Sequence, residues 1–278
     1  AQALTTVGNL LQGLRRYDEA LASYARALAI RPEHAEALIK VGNALVDLKR
    51  FDEALASYAR AFRSSPDYPH LLGNWVHTKM KVCDWTGLDA AFEQLAADIA
   101  AGKPVASPFA ILGTPLPASL QRQCAGMLIE AKFPAITNPG GRAFTATHDR
   151  IRVGYFSADL YSHATAYLMA GLFETHDRSR FELTAFSFGP PVSDPMRARL
   201  DAAFDRFIDV REKTDADIAL LARTLEIDIA VDLKGFTQDG RPGIFARRAA
   251  PLQVSYLGYP GTMSADYIDY LIADPTLI

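Results

Sequence analysis

Several features that would place the chain in a specialised class of protein are scarce or missing. Its 278 residues include two cysteines, Cys83 and Cys124, too few for a disulfide scaffold and without the spacing of a metal site. No apolar run reaches the ~18 residues that a membrane-spanning helix needs, and no basic-then-apolar leader opens the chain. A net charge of -3 provides no strongly basic surface. We therefore expect a soluble, cytoplasmic protein that binds neither nucleic acid nor membrane.

An internal repeat occupies the first 68 residues. When the chain is shifted by about 34 positions, the period of tetratricopeptide units, residues 18–27 align letter for letter with residues 52–61. Gly8 and Gly42 align as well, and a small residue is needed there because two helices must approach closely. This segment closely resembles the tetratricopeptide repeat family, which consists of paired antiparallel helices.

The composition changes twice along the chain, which predicts three regions. Residues 1–100 are predicted as tetratricopeptide repeats, the third of them degenerate, because terminal repeats in such arrays are often atypical. Residues 101–149 contain many prolines and are predicted as a helical connector, with one helix from Pro117 or Ser119 to Lys132 and a turn-rich linker, Asn-Pro-Gly-Gly, at 138–141. Residues 150–278 are predicted as a separate lobe.

Short β-forming segments alternate with helical segments in this lobe. Such alternation is typical of a parallel sheet with helical crossovers, so a Rossmann-like lobe is predicted after the α-superhelix of repeats. The predicted strands are residues 151–156, 183–188, 206–210, 227–233, 252–257 and 270–273. The fourth strand contains Asp228 and Asp232, which we interpret as carboxylates exposed to solvent at a sheet edge or strand end.

Polar residues follow the first predicted strand. Ser157, Asp159, His163 and Thr165 lie where ligands collect in open parallel sheets. The loop lacks Gly-x-Gly-x-x-Gly, which argues against a dinucleotide-dependent oxidoreductase. His163 precedes a helix, whose dipole favours a neutral ring that could act as a general base. The alternative is a histidine that only caps the helix or packs against it.

Two later loops contribute further candidates. Lys234 and Gly235 follow the fourth strand, and a glycine-proline loop follows the fifth. Glycines on both sides of Pro260 would let backbone N–H groups approach a sugar or phosphate closely, although a plain tight turn explains them too. The candidate residues of this second loop are Leu257, Gly258, Tyr259, Pro260, Gly261 and Thr262.

Together, four segments carry a more specific resemblance. They are residues 83–86 (Cys-Asp-Trp-Thr), 152–155 (Arg-Val-Gly-Tyr), 257–262 (Leu-Gly-Tyr-Pro-Gly-Thr) and 269–270 (Asp-Tyr). With these segments the whole chain resembles the amino-terminal half of protein O-GlcNAc transferases, in particular the bacterial ones. The resemblance implies a repeat arm fused to a two-lobed glycosyltransferase of the B type. It implies transfer from UDP-GlcNAc to Ser or Thr of proteins with inversion, and neither a metal nor another cofactor.

The resemblance also implies roles for individual residues. His163 matches the proposed general base, and residues 257–262 match a loop that lines the sugar pocket. Asp159, Thr165, Lys234 and Gly235 are predicted to bind substrate with them. Tyr161 and Ala164 depart from the pattern of the animal enzymes around this histidine.

The same resemblance implies partners. Protein or peptide acceptors are expected along the repeat groove. A carboxy-terminal lobe with most of the donor contacts, including a lysine that neutralises the leaving group, is expected beyond Ile278. A homo-oligomer is possible as well, and the sequence leaves the oligomeric state open.

Two other functions remain open. The chain could be a tetratricopeptide scaffold that binds peptides beside a passive α/β lobe, but such a lobe has no need for His163 and two glycine-bearing loops at strand ends. It could also belong to another sugar-nucleotide enzyme, such as an epimerase or a small-molecule glycosyltransferase. The repeat arm argues against this second alternative, because it favours a protein acceptor.

Overall fold

The structure, a computed structural model, describes residues 1–136 and 148–276. The chain divides into two compact units, Ala1–Leu128 and Ile129–Ile278, here called the arm and the lobe. The predicted linker at residues 138–141 lies outside the described residues, and the predicted boundaries of the three regions stay predictions. Within the described residues, no helix is long and apolar enough to cross a membrane.

The arm consists of antiparallel helices. They are α1 (Gln2–Gly13), α2 (Tyr17–Ile30), α3 (Ala35–Asp47), α4 (Phe51–Ser64), α5 (Leu71–Lys81), α6 (Leu88–Ala100) and α7 (Ala118–Lys132), which continues into the lobe unit. In the first two helix pairs the repeated residues make equivalent contacts. A Cβ on Gly42 would overlap the ring of Tyr58, whose hydroxyl donates to Asn43 Oδ1 at 2.7 Å. The Gly8–Tyr24–Asn9 contact repeats this arrangement, so the predicted reason for the two glycines is confirmed.

The third helix pair departs from the pattern at its beginning. Gly87 has a φ of 70°, and α6 starts only at Leu88, so Trp85 lies before the helix and its side chain is 61% exposed. Leu88 and Leu95 are nevertheless fully buried, as the repeat register requires. The segment after α6 packs back onto this pair, with Val105 and its neighbours in the same apolar cluster.

The lobe is built on a six-stranded parallel sheet. Its strands are β1 (Ile151–Ser157), β2 (Phe181–Ser187), β3 (Arg206–Asp209), β4 (Ile229–Asp232), β5 (Leu252–Tyr256) and β6 (Tyr270–Ile272). Its helices are α8 (Ala164–Thr175), α9 (Pro195–Ala203), α10 (Asp215–Thr224) and α11 (Pro242–Phe245). The spatial order is β3-β2-β1-β4-β5-β6. This is the doubly wound order of Rossmann folds, so the predicted fold class is confirmed.

Both faces of the central strand β1 are buried. Val153 and Tyr155 join the apolar cluster beneath α8 and α9. Phe156 points to the opposite face, where its ring stacks on Phe186 at 4.3 Å between centroids. This burial on both sides explains why the strand is a continuous apolar run rather than an alternating one.

Candidate functional site at the switch point of the sheet

The chain reverses its direction of strand addition between β1 and β4. These strands are neighbours, with Phe156 opposite Asp232 in the register. Ligands of open α/β sheets bind at this switch point, outside the carboxyl ends of the strands. The loops after β1, β4 and β5 carry the predicted site residues, and the contacts among these loops define the candidate site.

The β1 loop leads directly into α8. Ser157 Oγ accepts from the amide of Asp159 at 3.0 Å, which turns the chain as the strand ends. His163 has extended backbone angles and is the N-cap of α8, where its Nδ1 accepts from the amide of Thr165 at 3.2 Å. The cap described by the alternative reading of His163 is therefore present, its side chain is 40% exposed, and its action as a general base stays a prediction.

The hydrogen bond at Nδ1 restricts what the His163 ring can do. A nitrogen that accepts a hydrogen bond holds no proton, so a neutral ring in this arrangement carries its proton on Nε2 and can donate from there. For Nε2 to act as a base, the proton must instead sit on Nδ1. Asp159 Oδ2 lies 3.6 Å from that nitrogen and would stabilise this tautomer after a small rotation.

Asp159 forms a buried ion pair with Lys234 of the β4 loop. Lys234 Nζ donates to Asp159 Oδ2 at 2.5 Å, and the two side chains are 6% and 9% exposed. The structure thus brings together two predicted site residues that lie 75 positions apart. Both are predicted to bind substrate, although both side chains are almost fully buried. That prediction is untested.

Asp232, at the end of β4, shapes the loop that holds Lys234. Its Oδ1 accepts from the amides of Lys234 and Gly235 at 2.9 and 3.1 Å. Gly235 follows with a φ of 53°, which favours glycine. The interpretation of Asp232 as a solvated carboxylate is wrong, because β4 lies between β1 and β5 and the residue is 2% exposed. Asp228 is half-buried and accepts from the amide of Arg152 at 2.8 Å.

The second oxygen of Asp232 has no hydrogen-bond partner among the described residues, and the same holds for the hydroxyl of buried Tyr267. Burial raises the pKa of Asp232 to about 6, against the opposing effect of the amides of Lys234 and Gly235 and of the Lys234 charge. Burial and the nearby charge of Asp232 raise the pKa of Tyr267. Sequence reasoning did not assign a site role to Asp232. A carboxylate two positions before a lysine at the end of a central strand is the signal that it overlooked.

The glycine-proline loop packs against the β4 loop. A Cβ on Gly258 would collide with the carbonyl oxygen of Leu233, so only glycine fits this approach. Tyr259 is buried, and its ring meets Phe236 edge-on at 5.2 Å between centroids. Leu257, Pro260 and Thr262 are exposed, and Gly261 is half-buried. The loop is thus fixed by buried contacts and presents its other residues outward. This loop contacts the β4 loop beside Lys234, Lys234 pairs with Asp159, and Asp159 lies near His163.

No group of three or more His, Cys, Asp or Glu side chains in residues 1–136 and 148–276 could hold a metal ion. The site consists instead of a histidine, a buried ion pair and glycine-bearing loops. The expectation that the protein needs neither a metal nor another cofactor stays a prediction.

Comparison with known protein families identifies the lobe. The model of glycosyl transferase family 41 matches residues 134–277, about half of the chain, and a tetratricopeptide repeat model matches residues 7–69. The chain belongs to glycosyl transferase family 41. The three strand-end loops all lie within the part that this family model covers.

Individual relatives have names that agree with a glycosyltransferase family. A probable UDP-N-acetylglucosamine–peptide N-acetylglucosaminyltransferase of Arabidopsis thaliana is 32% identical over 214 residues, covering 72% of this chain and 22% of that protein. A UDP-N-acetylglucosamine–peptide N-acetylglucosaminyltransferase of Caenorhabditis elegans is 35% identical over 126 residues, 45% of this chain and 11% of that protein. This chain therefore spans a minor part of these relatives.

A solved structure resembles nearly the whole chain. A mutant O-GlcNAc transferase of Thermobaculum terrenum superposes with a TM-score of 0.70 at 25% identity, covering 98% of this chain and 53% of that one. The resemblance to bacterial O-GlcNAc transferases predicted from sequence is confirmed at the level of family and fold.

Proposed function

We propose that the protein containing this chain transfers N-acetylglucosamine from UDP-GlcNAc to Ser or Thr hydroxyls of proteins, with inversion at the anomeric carbon. This chain supplies the repeat arm and the acceptor-side lobe. The observation that carries the proposal is the meeting of the β1, β4 and β5 loops at the switch point, within the segment that matches family 41. The names of the relatives support the donor and the type of acceptor.

The site residues divide the work of this reaction. The acceptor hydroxyl oxygen attacks the anomeric carbon as the bond from that carbon to the UDP oxygen breaks, and UDP leaves with the bonding electrons. His163 takes the hydroxyl proton on Nε2, once the other ring proton lies on Nδ1 beside Asp159. The loop at residues 257–262 lies against the sugar, where the glycines allow its backbone to approach. Before that tautomer forms, the amide of Thr165 donates to Nδ1 and orients the ring of His163.

The arm is proposed to bind the protein acceptor. Its support is the tetratricopeptide match over residues 7–69. Binding without transfer, as in a peptide scaffold, is the second candidate function. The cytoplasm as the compartment, self-association of the arm and independence of a metal stay predictions.

The proposal is tested with the parent protein, UDP-GlcNAc and a mixture of candidate acceptor proteins. Mass spectrometry should find N-acetylhexosamine on Ser or Thr, with one UDP released per sugar transferred. Peptide capture without UDP release would favour the scaffold. Conversion of UDP-GlcNAc to another sugar nucleotide without any acceptor protein would favour a different sugar-nucleotide enzyme.

A further inference from the structure

A lysine and a histidine approach one carboxylate at the centre of the site. Asp159 Oδ2 is 2.5 Å from Lys234 Nζ and 3.6 Å from His163 Nδ1. The first distance is a strong charge-assisted hydrogen bond, and the second is beyond hydrogen-bond range. In this structure Lys234 therefore neutralises most of the charge that would otherwise act on the imidazole ring.

Contacts with Asp232 and with the β5 loop hold the backbone of Lys234 in this position. Asp232 is buried and binds the amides of Lys234 and Gly235, which fixes where the lysine side chain starts. Gly258 packs against the carbonyl oxygen of Leu233, so the β5 loop supports the same turn. Lys234 is 5% exposed, and the two contacts above fix its backbone. Its ammonium group pairs with Asp159.

The other groups around His163 would not replace Lys234. Asp194, the N-cap of α9, accepts from the amide of Ser162 at 2.8 Å and brings a second carboxylate to this loop. The ring of Tyr161 is 5.9 Å from the His163 ring between centroids, and the hydroxyl of Tyr167 meets Ser162 Oγ at 3.0 Å. Asp194 is a carboxylate like Asp159, and neither tyrosine carries a positive charge, so none of these groups supplies the charge that Lys234 brings.

We propose that Lys234 is a positioning residue that holds Asp159 in place through their ion pair and thereby keeps the ring of His163 neutral. Its relevance to catalysis rests on the proposed transfer reaction, because only a neutral ring can accept the proton of an acceptor hydroxyl. The charge balance itself is a property of the chain without any donor or acceptor. It can therefore be measured separately from activity.

The test is the protonation state of His163 at pH 7, read from histidine ring ¹⁵N signals of the ¹⁵N-labelled chain. The chain has six histidines, and the signal of His163 is assigned by its loss in His163→Gln. Lys234→Met should raise the ratio of imidazolium to imidazole at His163 on the order of tenfold, because the Asp159 charge is no longer neutralised. The exposed Lys213→Met removes the same charge elsewhere and should leave the ratio unchanged.

A second pair of variants covers the case in which Lys234→Met folds poorly. Asp159→Asn removes the carboxylate and leaves the lysine charge, so the ratio should fall below that of the wild type. The double variant Asp159→Asn/Lys234→Met leaves no buried charge of this pair and should give a ratio no higher than the wild type. Changes in the same direction for both single variants, or no change in either, would overturn the proposal. A rise in Lys234→Met would support it even if the parent protein transferred no sugar.

Discussion

Two histidines cap helices in the same way in the two units, but their surroundings differ. His34 accepts from the amide of Ala37 at 3.2 Å in the arm, and His163 accepts from the amide of Thr165 at 3.2 Å in the lobe. His34 is 7% exposed, and its Nε2 meets Gln2 Oε1 at 3.2 Å. The side chain of His163 is 40% exposed and lies beside a buried ion pair. The cap is thus the shared structural role, and the exposed ring with a carboxylate behind it distinguishes the lobe.

A second comparison concerns one exposed ion pair of the arm and the buried charges of the site in the lobe. The exposed ion pair Arg16–Glu19 of the arm has side chains that are 53% and 57% exposed, whereas Lys234, Asp159 and Asp232 of the lobe are almost fully buried. Burying charge is costly unless it is paired, so buried charge is expected where function requires it. Stability measurements on matched variants of the two units can sharpen or break this contrast.

The largest effect on stability is expected from Lys234→Met. Removing one partner of a buried pair leaves an uncompensated charge, which should cost about 3–5 kcal/mol of unfolding free energy, and Asp159→Asn/Lys234→Met should recover most of this loss. Urea unfolding followed by hydrogen exchange of β1 and β4 peptides measures the lobe specifically. A single variant as stable as the wild type would contradict the buried-pair account.

A smaller, pH-dependent effect is expected from Asp232→Asn. The pKa of Asp232 is raised from 3.8 to about 6 on folding, so the contribution of its proton is present below pH 4 and is lost as the pH rises through about 6. Asparagine keeps the acceptor for the two amides without the buried charge. At pH 7.5 the variant should therefore exceed the wild type by up to about 3 kcal/mol of unfolding free energy, and this excess should vanish near pH 4. A difference that does not change with pH would refute this explanation.

In the arm, the corresponding test concerns packing rather than charge. Gly42→Ala places a methyl group where the Tyr58 ring lies, so a loss of about 1–3 kcal/mol is expected. Gly13→Ala is the control, because a Cβ there meets nothing within 4 Å. Both tryptophans, Trp75 and Trp85, belong to the arm, so urea unfolding followed by their fluorescence reports on this unit. Equal effects of the two variants would contradict the proposed role of Gly42.

The smallest effect is expected from Glu19→Gln. Its partner Arg16 lowers the pKa of Glu19 through a side-chain hydrogen bond, but both side chains are largely in water. Solvent screening should leave the unfolding curve of the arm unchanged within error. A loss comparable to that of Lys234→Met would show that exposure does not separate the two kinds of ion pair.

The sequence predicted those features of the fold that depend on local patterns along the chain. The exact repeat predicted that Gly8 and Gly42 face a second helix, and alternating segments predicted all six strands with every end within two residues of its observed position. It did not predict the Asp159–Lys234 pair, because that contact depends on β4 lying beside β1 rather than on any spacing in the chain. Asp232 was misjudged for the same reason, since its burial follows from the central place of its strand.

Trp85 illustrates the opposite error. It stands one repeat period after Tyr17 and Phe51, each of which begins a helix and is partly buried. Gly87 delays the start of α6, and the tryptophan is left exposed. A single residue with a left-handed backbone conformation can thus override a periodic pattern.

The central claim is that His163 does more than cap a helix. The most direct measurement is the turnover number of UDP-GlcNAc-dependent transfer by the parent protein carrying His163→Ala, compared with His34→Ala. The account predicts a fall of about 10²- to 10⁴-fold for His163→Ala and wild-type turnover for His34→Ala, because only the first change removes a general base. Wild-type turnover in both variants would contradict the account and leave His163 as a cap alone.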